Sequence, residues 1–148
     1  GLRRSAKAPD NLNVYTGASK ENPLIPTLGG KPLSGPEFVQ FSLPVRAMKK
    51  ATGVYEVVDN HEITTIQKGQ YKAKSLSELT SQTSVEGSGG GYLSNEISYR
   101  SILLRNSHNP ILPVGHIHTP RIKGVDAVVS KDIAQQIKQM LTQAISEI

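Results

Sequence analysis

Hydrophobic and polar positions along this chain follow two periods in turn. Asn11 to Thr16 alternate polar and apolar and predict a short strand, followed by a turn-rich loop over 17–35. Phe38, Phe41, Val45 and Met48 then recur at helical spacing and close on Lys49, Lys50 and Gly53. The lysines suit a helix C-terminus and Gly53 a left-handed cap, while Pro44 interrupts this helix or starts its longer part. The β-branched run Val54–Val58, the turn signal Asp59-Asn60, the β-prone run Glu62–Ile66 and Lys68-Gly69 before Tyr71 predict a β-hairpin or small meander. A short helical turn is expected over Ser75–Leu79. Thr83–Glu86 reads as a brief strand entering the glycine run 87–91, and Leu93, Ile97, Ile102, Leu103 and Leu104 predict a helix ending near Arg105-Asn106. Ile111–His118 reads as a strand buried between helices. Ser130 is placed as the cap of a last helix whose stripe is Ile133, Ile137, Met140, Leu141, Ala144 and Ile145. Strands alternating with helices predict a layered α/β domain.

Composition narrows this picture. With 148 residues, 36 % hydrophobic and 20 % charged, the chain fits one domain able to bury a core. No apolar run is long enough to span a bilayer, and the basic start, Gly1 to Lys7, is not followed by the apolar stretch of a secretory signal. It bears a faint likeness to an organellar targeting tail. The chain has no cysteine, which excludes disulfides, thiolate zinc sites and a cysteine nucleophile in the sequence as it stands. The net charge of +5 could favour acidic partners or nucleic acid. Its basic residues are scattered and its aromatics are five Tyr and two Phe with no Trp, which favours a solvated basic surface over a nucleic-acid platform.

Candidate chemistry lies in two segments. Gly89-Gly90-Gly91-Tyr92-Leu93-Ser94-Asn95 is a glycine turn opening onto a helix. A hydroxyl on the first helical turn lies near unpaired backbone N–H groups and the positive end of the helix dipole, a setting that favours a nucleophile. On spacing alone, Ser94 or Asn95 as a helix cap is the commoner arrangement. The second segment is Gly115-His116-Ile117-His118-Thr119-Pro120. Alternation on a strand would put His116 and His118 on one face, so a metal pair is conceivable, but no third ligand is near in sequence. One imidazole as general base for the serine is the better use. Asp10, Glu86 and Glu96 are all available to orient it, and sequence spacing does not choose among them.

Taken together, these segments resemble the type I pyroglutamyl peptidases (pyrrolidone-carboxylate peptidases), cysteine peptidases that remove N-terminal pyroglutamate. Gly89 to Asn95, with Tyr99 beyond, is similar to that family's cysteine signature with Ser94 at the nucleophile position. Gly115–Pro120 is similar to its histidine segment, and Ser42–Met48 to a helix upstream. The resemblance implies a three-layer α/β sandwich, a central mixed sheet flanked by helices, with residues 54–80 as a hairpin insertion and the family's N-terminal portion absent. It implies a catalytic set of Ser94, His118 and Asp10, with Gly90, Tyr92 and Asn95 near the substrate, and neither cofactor nor metal.

The expected function is then hydrolysis of N-terminal pyroglutamate from peptides, or a form of that enzyme inactivated by serine at position 94. The alternative is a non-catalytic descendant serving as a structural subunit or protein-binding module of a larger assembly. Expected partners are a pyroglutamyl peptide, further copies of the chain or a larger protein assembly, without nucleic acid or membrane. The expected compartment is the cytoplasm, or the mitochondrion if the basic start is a targeting remnant.

Overall fold

Neighbouring apolar residues that face opposite ways mark extended chain, and Phe38-Val39 behaves so. Phe38 packs with Ile63, Ala73 and Leu79, whereas Val39 packs with Tyr99 and Ile102. A helix would turn these side chains only ~100° apart, so the two clusters together hold residues 38–44 out of the predicted helix. The computed structural model describes residues 27–28, 31–32, 35–90 and 93–147. The predicted strand 11–16 and most of the loop 17–35 lie outside them.

The described elements begin with two short antiparallel strands, β1 (Thr27–Leu28) and β2 (Lys31–Pro32). Helix α1 is limited to Val45–Met48 and starts at Pro44, whose carbonyl accepts from the amides of Ala47 and Met48. Proline restricts Leu43 before it to non-helical backbone, which ends the helix on its N-terminal side. Three antiparallel strands follow: β3 (Glu62–Thr65), β4 (Gly69–Lys72) and β5 (Ser84–Glu86), with β3 in the middle. A turn of 3-10 helix, Leu76–Leu79, lies between β4 and β5. Two long helices complete the chain, α2 (Leu93–His108) and α3 (Ala127–Ile145). The architecture is thus a small α/β one in which the described sheet is three-stranded and wholly antiparallel, where a mixed sheet was expected.

The hairpin forms as the sequence predicts. Thr65 pairs with Gly69 across a three-residue connection, and Gly69 takes φ +68°, the left-handed conformation that such a turn requires. Ile63 and Thr65 point inward, and Ile63 joins the cluster around Phe38. Tyr71 packs on this cluster; burial, and secondarily Glu78, pushes its phenol above its ordinary pKa.

Two predicted strands do not form. Residues 111–118 are irregular: Pro113 supplies no N–H, Ile111 and Leu112 are exposed, and Val114 packs beside Tyr99 and Ile102 without a ladder. Over Val54–Val58, the backbone of Tyr55 meets a side chain in place of a strand. Gln136 accepts from the Tyr55 N–H at 2.9 Å and donates its amide to the Tyr55 carbonyl. Gly53 is needed here for space, because a Cβ on it would collide with the Gln136 amide. It does not take the left-handed conformation expected of a cap.

The described chain divides into two compact units, one made of residues up to Phe41 with Asn60–His116, the other of Ser42–Asp59 with residues from Ile117 on. The core of the first comprises the Phe38–Ile63 and Val39–Tyr99–Ile102 clusters; the second packs Met48 against Met140 and Ala144 of α3. The cap of α3 is Asp126, four residues before the predicted Ser130. Its Oδ1 accepts from the amides of Val128 and Val129, each at 3.0 Å, while Ser130 donates back to the Asp126 carbonyl at 2.6 Å. Among the described residues no helix is long and apolar enough to cross a membrane.

Candidate functional site

The segment that presents Ser94 is a strand, a tight turn and a helix. Strand β5 is fixed at its start by Glu37, whose Oε2 accepts from both the Ser84 N–H at 3.0 Å and the Ser84 hydroxyl at 2.7 Å. Gly87 and Gly90 then exchange backbone hydrogen bonds, 2.9 and 3.3 Å, around Ser88 and Gly89. Gly90 has φ +80°, so a side chain there would strain the turn, and the Asn60 amide donates to the Ser88 carbonyl at 3.0 Å. Helix α2 opens at Leu93. Ser94, half-buried, and Asn95, buried, therefore lie on its first turn. Gly90 thus serves the turn itself, and Asn95 sits in the helix start; Tyr92 and Asp10 lie outside the described residues.

One turn further along α2, Ser98 joins Ser94 to a histidine. The Ser98 hydroxyl lies 2.7 Å from the Ser94 carbonyl oxygen and 2.9 Å from His116 Nδ1. A hydroxyl has one proton, and a carbonyl oxygen can only accept. With the Ser98 proton on the Ser94 carbonyl, Ser98 accepts from Nδ1–H of His116. A neutral imidazole so held carries its lone pair on Nε2. His116 is half-buried, and the shared hydroxyl sets its orientation against the first two turns of α2.

The remainder of α2 is held in the same directional manner. Tyr99 is buried and its hydroxyl donates to the Pro36 carbonyl at 2.7 Å. Gly35 beside it has φ +144°, and a Cβ at that position would lie 2.7 Å from the phenol oxygen, so two requirements exclude a side chain there. The buried Arg105 donates to the carbonyls of Gln40 and Pro110, at 3.1 and 3.3 Å. On the outer side, Glu96 pairs with Arg100 at 2.7 Å.

His118 falls in the unit made of Ser42–Asp59 and the residues from Ile117 on, whereas Ser94, Ser98 and His116 belong to the other. The strand that would have placed His116 and His118 on one face does not form, so the reason for reading them as a metal pair is gone. Among the described residues no group of three or more histidine, aspartate or glutamate side chains is arranged to hold a metal ion. The role of Ser98 was missed from sequence, although its spacing of four from Ser94 places both on one side of a helix.

Comparison with known proteins gives no support to the pyroglutamyl peptidase resemblance. Residues 54–123 match the family described as PA0049, C-terminal domain. The chain is also similar to a Pseudomonas aeruginosa protein named uncharacterized protein PA0049, being 53 % identical to it over 34 residues. That alignment covers 23 % of this chain and 6 % of the relative, so the chain spans only a small part of the relative's length. No solved structure matches. The resemblance to the pyroglutamyl peptidases is overturned by this result: the residues that carried it, Gly89–Asn95 and Gly115–Pro120, fall within the PA0049 C-terminal match. So does the whole of the stretch 54–80 that was expected as an insertion. Short glycine, serine and histidine motifs specify a turn and a polar site, which many families can build.

Proposed function

We propose that the glycine turn, the start of α2 and His116 form a hydrolase site for acyl compounds, with Ser94 as nucleophile. The observation that carries the reading is the Ser98 hydroxyl placed between the Ser94 carbonyl and His116 Nδ1; with its proton on that carbonyl, His116 is held as the Nδ1–H tautomer. This is the form in which an imidazole can act as general base through Nε2. In the reaction, Ser94 Oγ attacks the carbonyl carbon as Nε2 takes its proton. Backbone amides at the start of α2 stabilise the oxyanion, and the imidazolium returns the proton to the leaving group as its bond to carbon breaks. Water then hydrolyses the acyl-serine by the same steps. Pyroglutamate as the substrate depended on the family resemblance and is not carried forward.

Labelling by a fluorophosphonate, read by mass spectrometry, tests the assignment. The expected result is a single adduct on Ser94, lost in Ser94→Ala and slowed on the order of 10²–10⁴-fold in His116→Ala. If His118→Ala slows labelling instead, the base is His118. If the unmodified chain takes up no label, the site is not a hydrolase.

The alternative, a binding module within a larger protein, is favoured by the match to a C-terminal domain and by a relative far longer than this chain. On that reading Ser98 and His116 fix α2 for recognition alone, and labelling fails while the fold is intact.

A further inference from the structure

The outward side of α3 forms one wall of a groove, and the segment 50–52 forms the other. Its volume is about 750 Å³, and three lysines line it: Lys50, Lys131 and Lys138. Ala134 and Gln135 lie between the two helical lysines, and Gln139 follows Lys138. Among the residues that line it there is no carboxylate and no aromatic ring. Glu147 pairs with Lys50 at 3.1 Å, which partly offsets that charge, so Lys131 and Lys138 carry most of the groove's potential. Gln139 accepts from the Thr52 hydroxyl at 3.3 Å, so what it can offer a ligand is its NH2 group.

Spacing and chemistry together select the ligand. The two lysines stand seven positions apart on the helix, ~10 Å along the axis at 1.5 Å per residue. A polyproline-II-like chain advances ~9 Å in three residues, returning a side chain to the same face. Gln135 between them can meet the backbone of such a chain, since an amide both donates and accepts, and Gln139 beyond Lys138 can add its NH2 group. A single-stranded nucleic acid would want stacking surfaces or guanidinium planes, and the groove offers neither. We propose that this groove binds an extended acidic polypeptide segment bearing carboxylates three residues apart. The site lies in the other unit from Ser94 and does not depend on the hydrolase reading.

The test is fluorescence anisotropy of the whole chain with a labelled decapeptide carrying glutamate at every third position, at ~50 mM salt, where screening is weak. Saturable binding is expected, weakened about tenfold by Lys131→Gln combined with Lys138→Gln, as loss of two exposed ion pairs predicts. Ala134→Phe, which adds bulk between the two lysines and leaves the charges in place, is expected to weaken it comparably. All three positions are exposed, and circular dichroism confirms that the variants fold. Absence of saturable binding overturns the proposal. So does retention of binding in Ala134→Phe, which would mean that diffuse charge alone attracts the peptide. Tighter binding of a single-stranded oligonucleotide overturns it in favour of a nucleic-acid surface.

Discussion

The two long helices hold their places by different means. On α3 the buried positions are Ile133, Gln136, Met140 and Ala144, and its contacts with Met48, Leu43 and Val57 are mainly apolar. On α2 the buried set mixes Tyr99 and Ile102 with Asn95, Ser98 and Arg105. Apolar contact fixes a helix within the tolerance of side-chain packing. Buried polar groups add direction, because each costs free energy unless its partner is met at hydrogen-bonding distance. Helix α2 is therefore registered against Pro36, Gln40, Pro110 and His116. Such registration suits the element that presents Ser94, whereas α3 leaves its outer side available for a surface role.

The sharpest way to break this contrast is at Arg105. Its loss in Arg105→Ala, which removes a buried guanidinium and its bonds to the carbonyls of Gln40 and Pro110, is expected to destabilise the fold by about 3 kcal/mol in urea denaturation. Arg105→Met retains most of the stem; if it is nearly as stable as the parent, packing and not direction holds α2, and the contrast fails. A smaller effect is expected from Tyr99→Phe, about 1–2 kcal/mol, because the bond to the Pro36 carbonyl is lost while the ring stays. The same denaturation curve reads it, and no change would remove Pro36 from the registration. The smallest effect belongs to α3. Asp126→Ala should cost about 1 kcal/mol through the cap, while Ser130→Ala should cost less, since its hydroxyl only bonds back within the helix. A reversed order would return the cap to Ser130.

Both long helices and the 62–72 hairpin were legible because each rests on a local pattern: helical periodicity at Ile133, Met140 and Ala144, and a turn glycine at Gly69. What escaped depends on distant partners. Phe38 and Val39 read as the start of a helix until Ile63 draws one and Ile102 the other. Ile111–His118 has the composition of a strand, but Pro113 and the absence of a neighbouring strand among the described residues leave it irregular. At the candidate site, the glycine turn and Ser94 on a helix start were legible from spacing. Ser98 gained meaning only from His116, 18 residues on in an irregular segment that no periodicity could place. The family resemblance misled because it relied on the same short motifs.

The Gln136 amide, paired with both backbone groups of Tyr55, acts in effect as a strand one residue wide, and it needs Gly53 to be empty of side chain. This couples the substitution histories of two positions far apart in sequence. A chain that gains a side chain at 53 must first shorten or displace residue 136, and one that loses the amide at 136 releases 53 from glycine. Among relatives, the two positions should change together, with the loss at 136 preceding the gain at 53.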